Sequence, residues 1–346
     1  MKTFSLIFIF LILFFPFVFA QYEESAQQQN ISGIRFDDGK KLVFENNLLK
    51  ISVAKFKDNK SCAISYTFDD GLKEHYTLVA PELEKRGFRG TFWINGNTIN
   101  RNEPTITDTT RMTWAELKEL AKRGEEISNH GWAHKKLTQL SVAEMRIEIE
   151  RNDSIILVKT GIQPLTYCYA NNAKNDTVVK IASENRVGTR TFQRSIGSKS
   201  TPEDLEKWVE KLIANRDWGV GMTHGINYGY DAFRHPQILW NHLDMVKTME
   251  NKIWVGTFKA VSAYTKEAEN TTFTVVSKKK KYTLTPNMSL DKNLFTEPLT
   301  MILDLYQKRN ITITQNGKKI SPQKISTNQI IFNLDPNGKP VTITLD

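Results

Sequence analysis

The 346-residue chain has only two cysteines, Cys62 and Cys168, too few for the disulfide framework of a small secreted scaffold. Both lie in apolar, strand-like runs, which leaves one bridge or two buried thiols open. There is no Gly-x-Gly-x-x-Gly loop, so a dinucleotide-binding open sheet is disfavoured. Histidine is scarce, at six residues. The formal charge of +9 is mild and scattered, apart from Lys278-Lys279-Lys280-Lys281. That run lacks the interleaved aromatics of a nucleic-acid groove and reads as a solvated hairpin, so no nucleic-acid partner is expected.

Long apolar runs are missing as well, except at the start. Met1 to Ala20 has a basic Lys2, a Phe/Leu/Ile-rich stretch and Val18-Phe19-Ala20 before Gln21. This pattern predicts a removable secretory signal, with a membrane anchor as the alternative. No charged stop-transfer segment follows it and no cysteine that would take a lipid, so no stable span is expected. A secreted or periplasmic protein, or one held at the cell surface, is the expectation.

What the chain does have is alternation of strands and helices. Cys62 to Phe68 alternates, with Cys62, Ile64, Tyr66 and Phe68 on one face. Helices are predicted from capping signals at Thr113/Glu116, Ser141/Glu144 and Thr201/Asp204. Six or seven strand–helix units imply parallel pairing. The expected fold is α/β, a distorted (β/α)7 barrel over residues 57–267, with chemistry at the C-terminal strand ends. Residues 21–30 read as a loose lead-in and 31–56 as strands of an N-terminal extension packed on the barrel. From residue 268 the period changes to short strands and turns, predicting a small all-β, sandwich-like domain over 268–346.

Three strand ends carry the candidate chemistry: Thr67-Phe68-Asp69-Asp70-Gly71, His130-Gly131-Trp132-Ala133-His134, and Thr223-His224-Gly225. Asp70, His130 and His134 make a three-ligand set suited to zinc, with cobalt, nickel or iron as alternatives. The two histidines share a face if helical, and a loop converges them equally well. Asp69 is the candidate base beside a metal-acidified water, and His224 the candidate acid. His75, His235 and His242 sit in or beside helical runs and are not assigned to catalysis. Trp132, Tyr167, Tyr169, Tyr228 and Tyr230 are candidates for lining a substrate groove.

Together these motifs resemble the polysaccharide deacetylases of the NodB-homology type, carbohydrate esterase family 4, over residues 60–262. The resemblance implies a distorted barrel of about seven strands and hydrolytic, metal-dependent removal of N- or O-acetyl groups from an acetylated glycan. By resemblance Asp69 is the base, Asp70, His130 and His134 are the ligands, His224 is the acid, and the backbone near Tyr169 holds the oxyanion. The chain departs from the family pattern twice. Gly131 stands where Ser or Thr usually follows the first histidine. The third motif, here Pro164 to Asn172, lacks the arginine that orients the base. Arg190, at another predicted strand end, is the expected substitute. A glycan-binding module that lost catalysis, and a small-molecule amidohydrolase, are the competing expectations.

Overall fold

The computed structural model describes residues 27–30 (as backbone), 36–99, 110–233 and 235–346. The expected signal segment lies outside the described residues. Among these, no helix is long and apolar enough to cross a membrane.

The central sheet is wholly parallel. Its hydrogen-bonded order is 188–189, 166–167, 126–129, 91–94, 62–69, 218–223 and 194–195. An eighth strand, Ile253–Val255, pairs with Cys62–Ile64 on the edge that Thr91–Trp93 uses higher up. The sheet curls without closing, since 188–189 and 194–195 at its two ends are not paired among the described residues. The result is an open, distorted barrel of seven strands in sequence. The Cys62–Asp69 strand is buried along its whole length, as parallel crossovers require. Cys62, Ile64, Tyr66 and Phe68 pack outward on the helices. Trp93, Cys168, Val220 and Phe258 form a separate small cluster.

The capping signals are realised as reciprocal boxes. Thr113/Glu116 opens Trp114–Lys122, Ser141/Glu144 opens Val142–Thr160, and Thr201/Asp204 opens Pro202–Asn215. The predicted helix at His75–Arg86 instead begins with a π turn, His75–Val79, before Ala80–Lys85.

The β domain is two antiparallel sheets sharing one core, in which Ile51, Val53, Phe273, Val275, Leu303 and Ile343 meet. Here the structure differs from the sequence expectation. Lys40–Glu45 and Leu49–Ala54 do not form a separate layer on the barrel. Leu49–Ala54 pairs with Leu299–Leu305, so the N-terminal segment completes the C-terminal sandwich. Gln27–Asn30, expected as a loose lead-in, pairs with Thr274–Ser277. The reason is edge satisfaction: without these strands, the Leu299–Leu305 and Thr271–Lys278 edges would be bare. Lys41 ties the module to the barrel's last helix, Phe258–Asn270. Its buried ammonium donates to the carbonyls of Ala268 at 2.7 Å, Glu269 at 3.1 Å and Thr271 at 2.8 Å.

Candidate metal and acid–base site

The functional side chains stand at the C-terminal ends of different strands, where parallel barrels place chemistry. Asp69 ends Cys62–Asp69, His130 follows Glu126–Asn129, Arg190 follows Gly188–Thr189, and His224 follows Trp218–Thr223. They line one cavity of about 580 Å³, with Asp70, His134, Tyr169 and Tyr230.

Asp69 and Asp70 are adjacent in sequence and differ in environment. Asp69 is buried, 3% exposed. Arg190 grips it with two parallel bonds, at 2.8 Å to Oδ1 and 2.5 Å to Oδ2, and also donates to Thr67 Oγ1 at 2.8 Å. Burial alone would raise the Asp69 pKa, but the Arg190 charge and its hydrogen bonds, with His130 and His224, hold it at about 2. Arg190 is thus the buried cationic partner of Asp69.

Asp70 takes φ 75°, and Gly71 φ 65°. Asp70 Oδ1 lies 3.6 Å from both His130 Nε2 and His134 Nε2. This oxygen is buried and has no hydrogen-bond partner among the described residues. A buried, unpartnered carboxylate oxygen is costly. Between two imidazole nitrogens it is what a three-ligand cation site needs. His130 Nδ1 donates to the Cys168 carbonyl at 3.0 Å, which leaves Nε2 free as a lone pair. Burial lowers the His130 pKa against the pull of Asp69 and Asp70, favouring the neutral, ligating ring. The segment from His130 to His134 is a loop, not a helix. The two rings meet edge to face with centroids 4.8 Å apart.

A second grouping, Asp69, His130 and Cys168, also brings its ligand atoms together. It is the poorer cation site. Arg190 already engages both Asp69 oxygens, and burial pushes the Cys168 thiol far up, keeping it protonated. Both cysteines are free thiols.

His224 sits at the cavity wall with its ring edge to face on Tyr230, centroids 5.2 Å apart. Its Nδ1 is buried and without a partner among the described residues. Residues missed by the sequence reading hold its loop. His75 donates from Nε2 to the His224 carbonyl at 2.5 Å. The Glu74 carboxylate accepts from the backbone N–H of Ile226 at 2.8 Å and of Asn227 at 2.9 Å. Their signal was position alone, immediately after the Asp-Asp-Gly turn.

Of the five aromatic candidates, Tyr169 and Tyr230 line the cavity. Tyr167 is fully buried in the cluster around Ile149 and Val178 and has no face for a sugar. Trp132 packs under the Arg151 guanidinium, 4.0 Å from its ring centre, off the cavity lining. Tyr228 is also outside the lining and donates to the Thr110 carbonyl at 3.1 Å. Asn171, Asn172, Gln193 and Lys199 are lining residues that the sequence did not single out.

The family model for polysaccharide deacetylase matches residues 56–189. Over that stretch the chain is similar to the polysaccharide deacetylases. The matched stretch contains Asp69, Asp70, His130 and His134 and ends just before Arg190; the fold brings Arg190 and His224 to it. The peptidoglycan-N-acetylglucosamine deacetylase PgdA of Listeria monocytogenes is 29% identical over 185 residues, covering 51% of this chain and 34% of PgdA. The peptidoglycan-N-acetylmuramic acid deacetylase PdaA of Bacillus subtilis is 25% identical over 209 residues, 59% of this chain and 67% of PdaA. The chain thus spans about a third of PgdA. Among solved structures, a family 4 acetyl xylan esterase from Clostridium thermocellum is similar with a TM-score of 0.43 at 21% identity, covering 57% of this chain and 89% of that one.

Proposed function

We propose that the chain is a hydrolase that removes acetyl groups from an acetylated polysaccharide or oligosaccharide, using a divalent metal, with zinc the first choice. The observation that carries this reading is the unpartnered Asp70 Oδ1 held 3.6 Å from two imidazole nitrogens, beside an Asp69 fixed by Arg190. Three N/O ligands with open positions suit zinc, and cobalt, nickel or iron fit the same donors. When bound, the ion supplies Lewis-acid polarisation and acidifies water.

The chain's own groups do the rest. Asp69, ionised because Arg190 holds its pKa at about 2, accepts the proton from the attacking water. Each Asp69 oxygen keeps a lone pair beyond its Arg190 bond. The backbone N–H of Tyr169 is the donor we assign to the oxyanion. His224 gives a proton to the departing amine or sugar oxygen. Tyr230 offers a ring face at the cavity wall. The same atoms serve N-acetyl and O-acetyl substrates. Relatives named for peptidoglycan make an N-acetylated wall glycan the first substrate to try. We assign the protein to the extracytoplasmic side on the strength of its N-terminal sequence.

The test is acetate release by zinc-loaded protein from N-acetylated chitooligosaccharide, peptidoglycan and acetylated xylan. Release that is lost on chelation and in Asp69→Asn supports the reading. Metal binding without release from any of them favours a glycan-binding module. Release from soluble small amides alone selects an amidohydrolase.

A further inference from the structure

His134 is the most weakly held of the three ligand residues. Its side chain is 35% exposed, and its backbone sits at φ 55°, in the left-handed region. The loop that carries it, Gly131-Trp132-Ala133-His134-Lys135, has no carboxylate or hydroxyl of its own to hold its backbone N–H groups. The carboxylate comes from Glu148, on the second turn of the Val142–Thr160 helix. Glu148 is 4% exposed. One of its carboxylate oxygens, Oε1, accepts from the backbone N–H of Ala133 at 2.6 Å and of Lys135 at 3.2 Å. Its main-chain carbonyl accepts from the Trp132 N–H at 2.9 Å. His134 is therefore bracketed, one residue on each side, by two N–H groups that converge on a single oxygen.

Glu148 also accounts for Gly131. That residue has φ 83°, and a Cβ there would lie 3.2 Å from Glu148 Oε1 and 3.4 Å from the Tyr167 hydroxyl. The space a Ser or Thr side chain would take is filled by the glutamate. Asn129 and Asn95 secure the loop's other end. Asn129 Oδ1 accepts from the Gly131 N–H at 2.7 Å, and Asn95 Nδ2 donates to the His130 carbonyl at 2.7 Å. Neither reaches the His134 end.

We propose that Glu148 is the positioning residue for the metal site, clamping the His134 end of the ligand loop in place of the side chain that Gly131 lacks. It acts through backbone amides and does not touch the metal or substrate. The proposal rests on the metal-site reading above. Outer groups that orient ligands typically change metal affinity 10- to 100-fold when removed. Because the two N–H donors need an acceptor and not a charge, an amide oxygen serves as well as a carboxylate.

The experiment is a Co²⁺ titration of metal-free protein, read by the cobalt absorption bands and by calorimetry, with amide hydrogen exchange on the same apo samples. Wild type should bind one Co²⁺ at this site. Glu148→Ala should bind at least tenfold more weakly with an altered spectrum, and the Ala133 and Lys135 amides should exchange faster even without metal. Glu148→Gln should stay within about threefold of wild type. Glu148→Asp, which keeps the charge and shortens the reach, should fall with the alanine variant. Folded Glu148→Ala with unchanged affinity, spectrum and exchange overturns the proposal. If alanine does not fold, glutamine and aspartate decide: equal affinities overturn it. Wild type that binds no Co²⁺ removes the metal-site reading itself, a different failure from a wild type that binds and an alanine variant that binds equally.

Discussion

Arg190 offers the sharpest test of how the base is held. Arg190→Met keeps the bulk of the side chain and removes the guanidinium, with its two bonds to Asp69 and its bond to Thr67. Asp69, 3% exposed, is then a buried carboxylate without its counter-ion. Breaking a buried pair by deleting one partner costs about 3–5 kcal/mol, against a total stability of about 5–15 kcal/mol. Arg190→Lys keeps the charge and loses the fork, so it should cost less, about 1.5–3 kcal/mol. Adding Asp69→Asn to Arg190→Met removes the stranded charge. The double variant should exceed the sum of the singles in stability by at least about 1.5 kcal/mol. Urea unfolding followed by tryptophan fluorescence measures wild type and all four variants. Acetate release measures the catalytic side, where a base loosened by an ångström loses about 100-fold in kcat with KM little changed. Additive stabilities, or an Arg190→Met enzyme with wild-type kcat, would refute the view that this ion pair orients the base.

Further outcomes follow from other contacts. Chelation should abolish acetate release and lower the melting temperature, and zinc at a hundred times its Kd should restore about 2.7 kcal/mol; a chelator-treated protein with full activity contradicts the site. Restoring the family's usual residue with Gly131→Ser should harm the protein, because φ 83° and the 3.2 Å approach to Glu148 both oppose a Cβ; a loss of about 1–2 kcal/mol and weaker Co²⁺ binding are expected. Burial holds the His242 pKa at about 4, below its ordinary 6.5. Between those values the unfolded chain binds a proton that the folded chain refuses. This contribution is complete above pH 6.5, falls as acid is added and levels off below about 4, for a total of about 3 kcal/mol. His242→Gln should flatten its share of that slope in urea titrations at several pH values. Lys41→Met deprives three carbonyls of their donor and should destabilise the chain by about 1.5–3 kcal/mol without changing kcat.

The parts of the molecule governed by local chemistry were legible in the sequence. Three capping boxes begin the helices they predict, because an N-cap and its N3 glutamate or aspartate lie within one turn. The candidate histidines and aspartates were legible as strand ends. What depends on distant pairing was not. Leu49–Ala54 joins Leu299–Leu305 across some 250 residues, and nothing in either segment names the other. Glu148 reads as one more acid in a helix that also contains Glu144 and Glu150. Tyr167 and Tyr169 share a parity that a longer strand would turn into a shared face. The strand ends at Tyr167, and both rings settle in one buried cluster, with Tyr169 alone also bordering the cavity.

The end of a strand is also where two neighbouring carboxylates can serve one cavity. Successive side chains on a strand point to opposite faces. Continued as a strand, Asp69 and Asp70 would divide between the barrel interior and the helix layer, where Phe68 already points. Asp69 is the last residue in strand geometry and follows Thr67 inward, toward Arg190. Asp70 breaks the alternation at φ 75°, which returns its carboxylate to the cavity that Asp69 faces. Gly71 continues the turn at φ 65°, where an added Cβ would approach Ile99 to 2.9 Å. The turn thus separates the two acids by environment and not by distance. One is paired with a guanidinium that keeps it ionised; the other is left with a buried, unpartnered oxygen between two imidazole nitrogens.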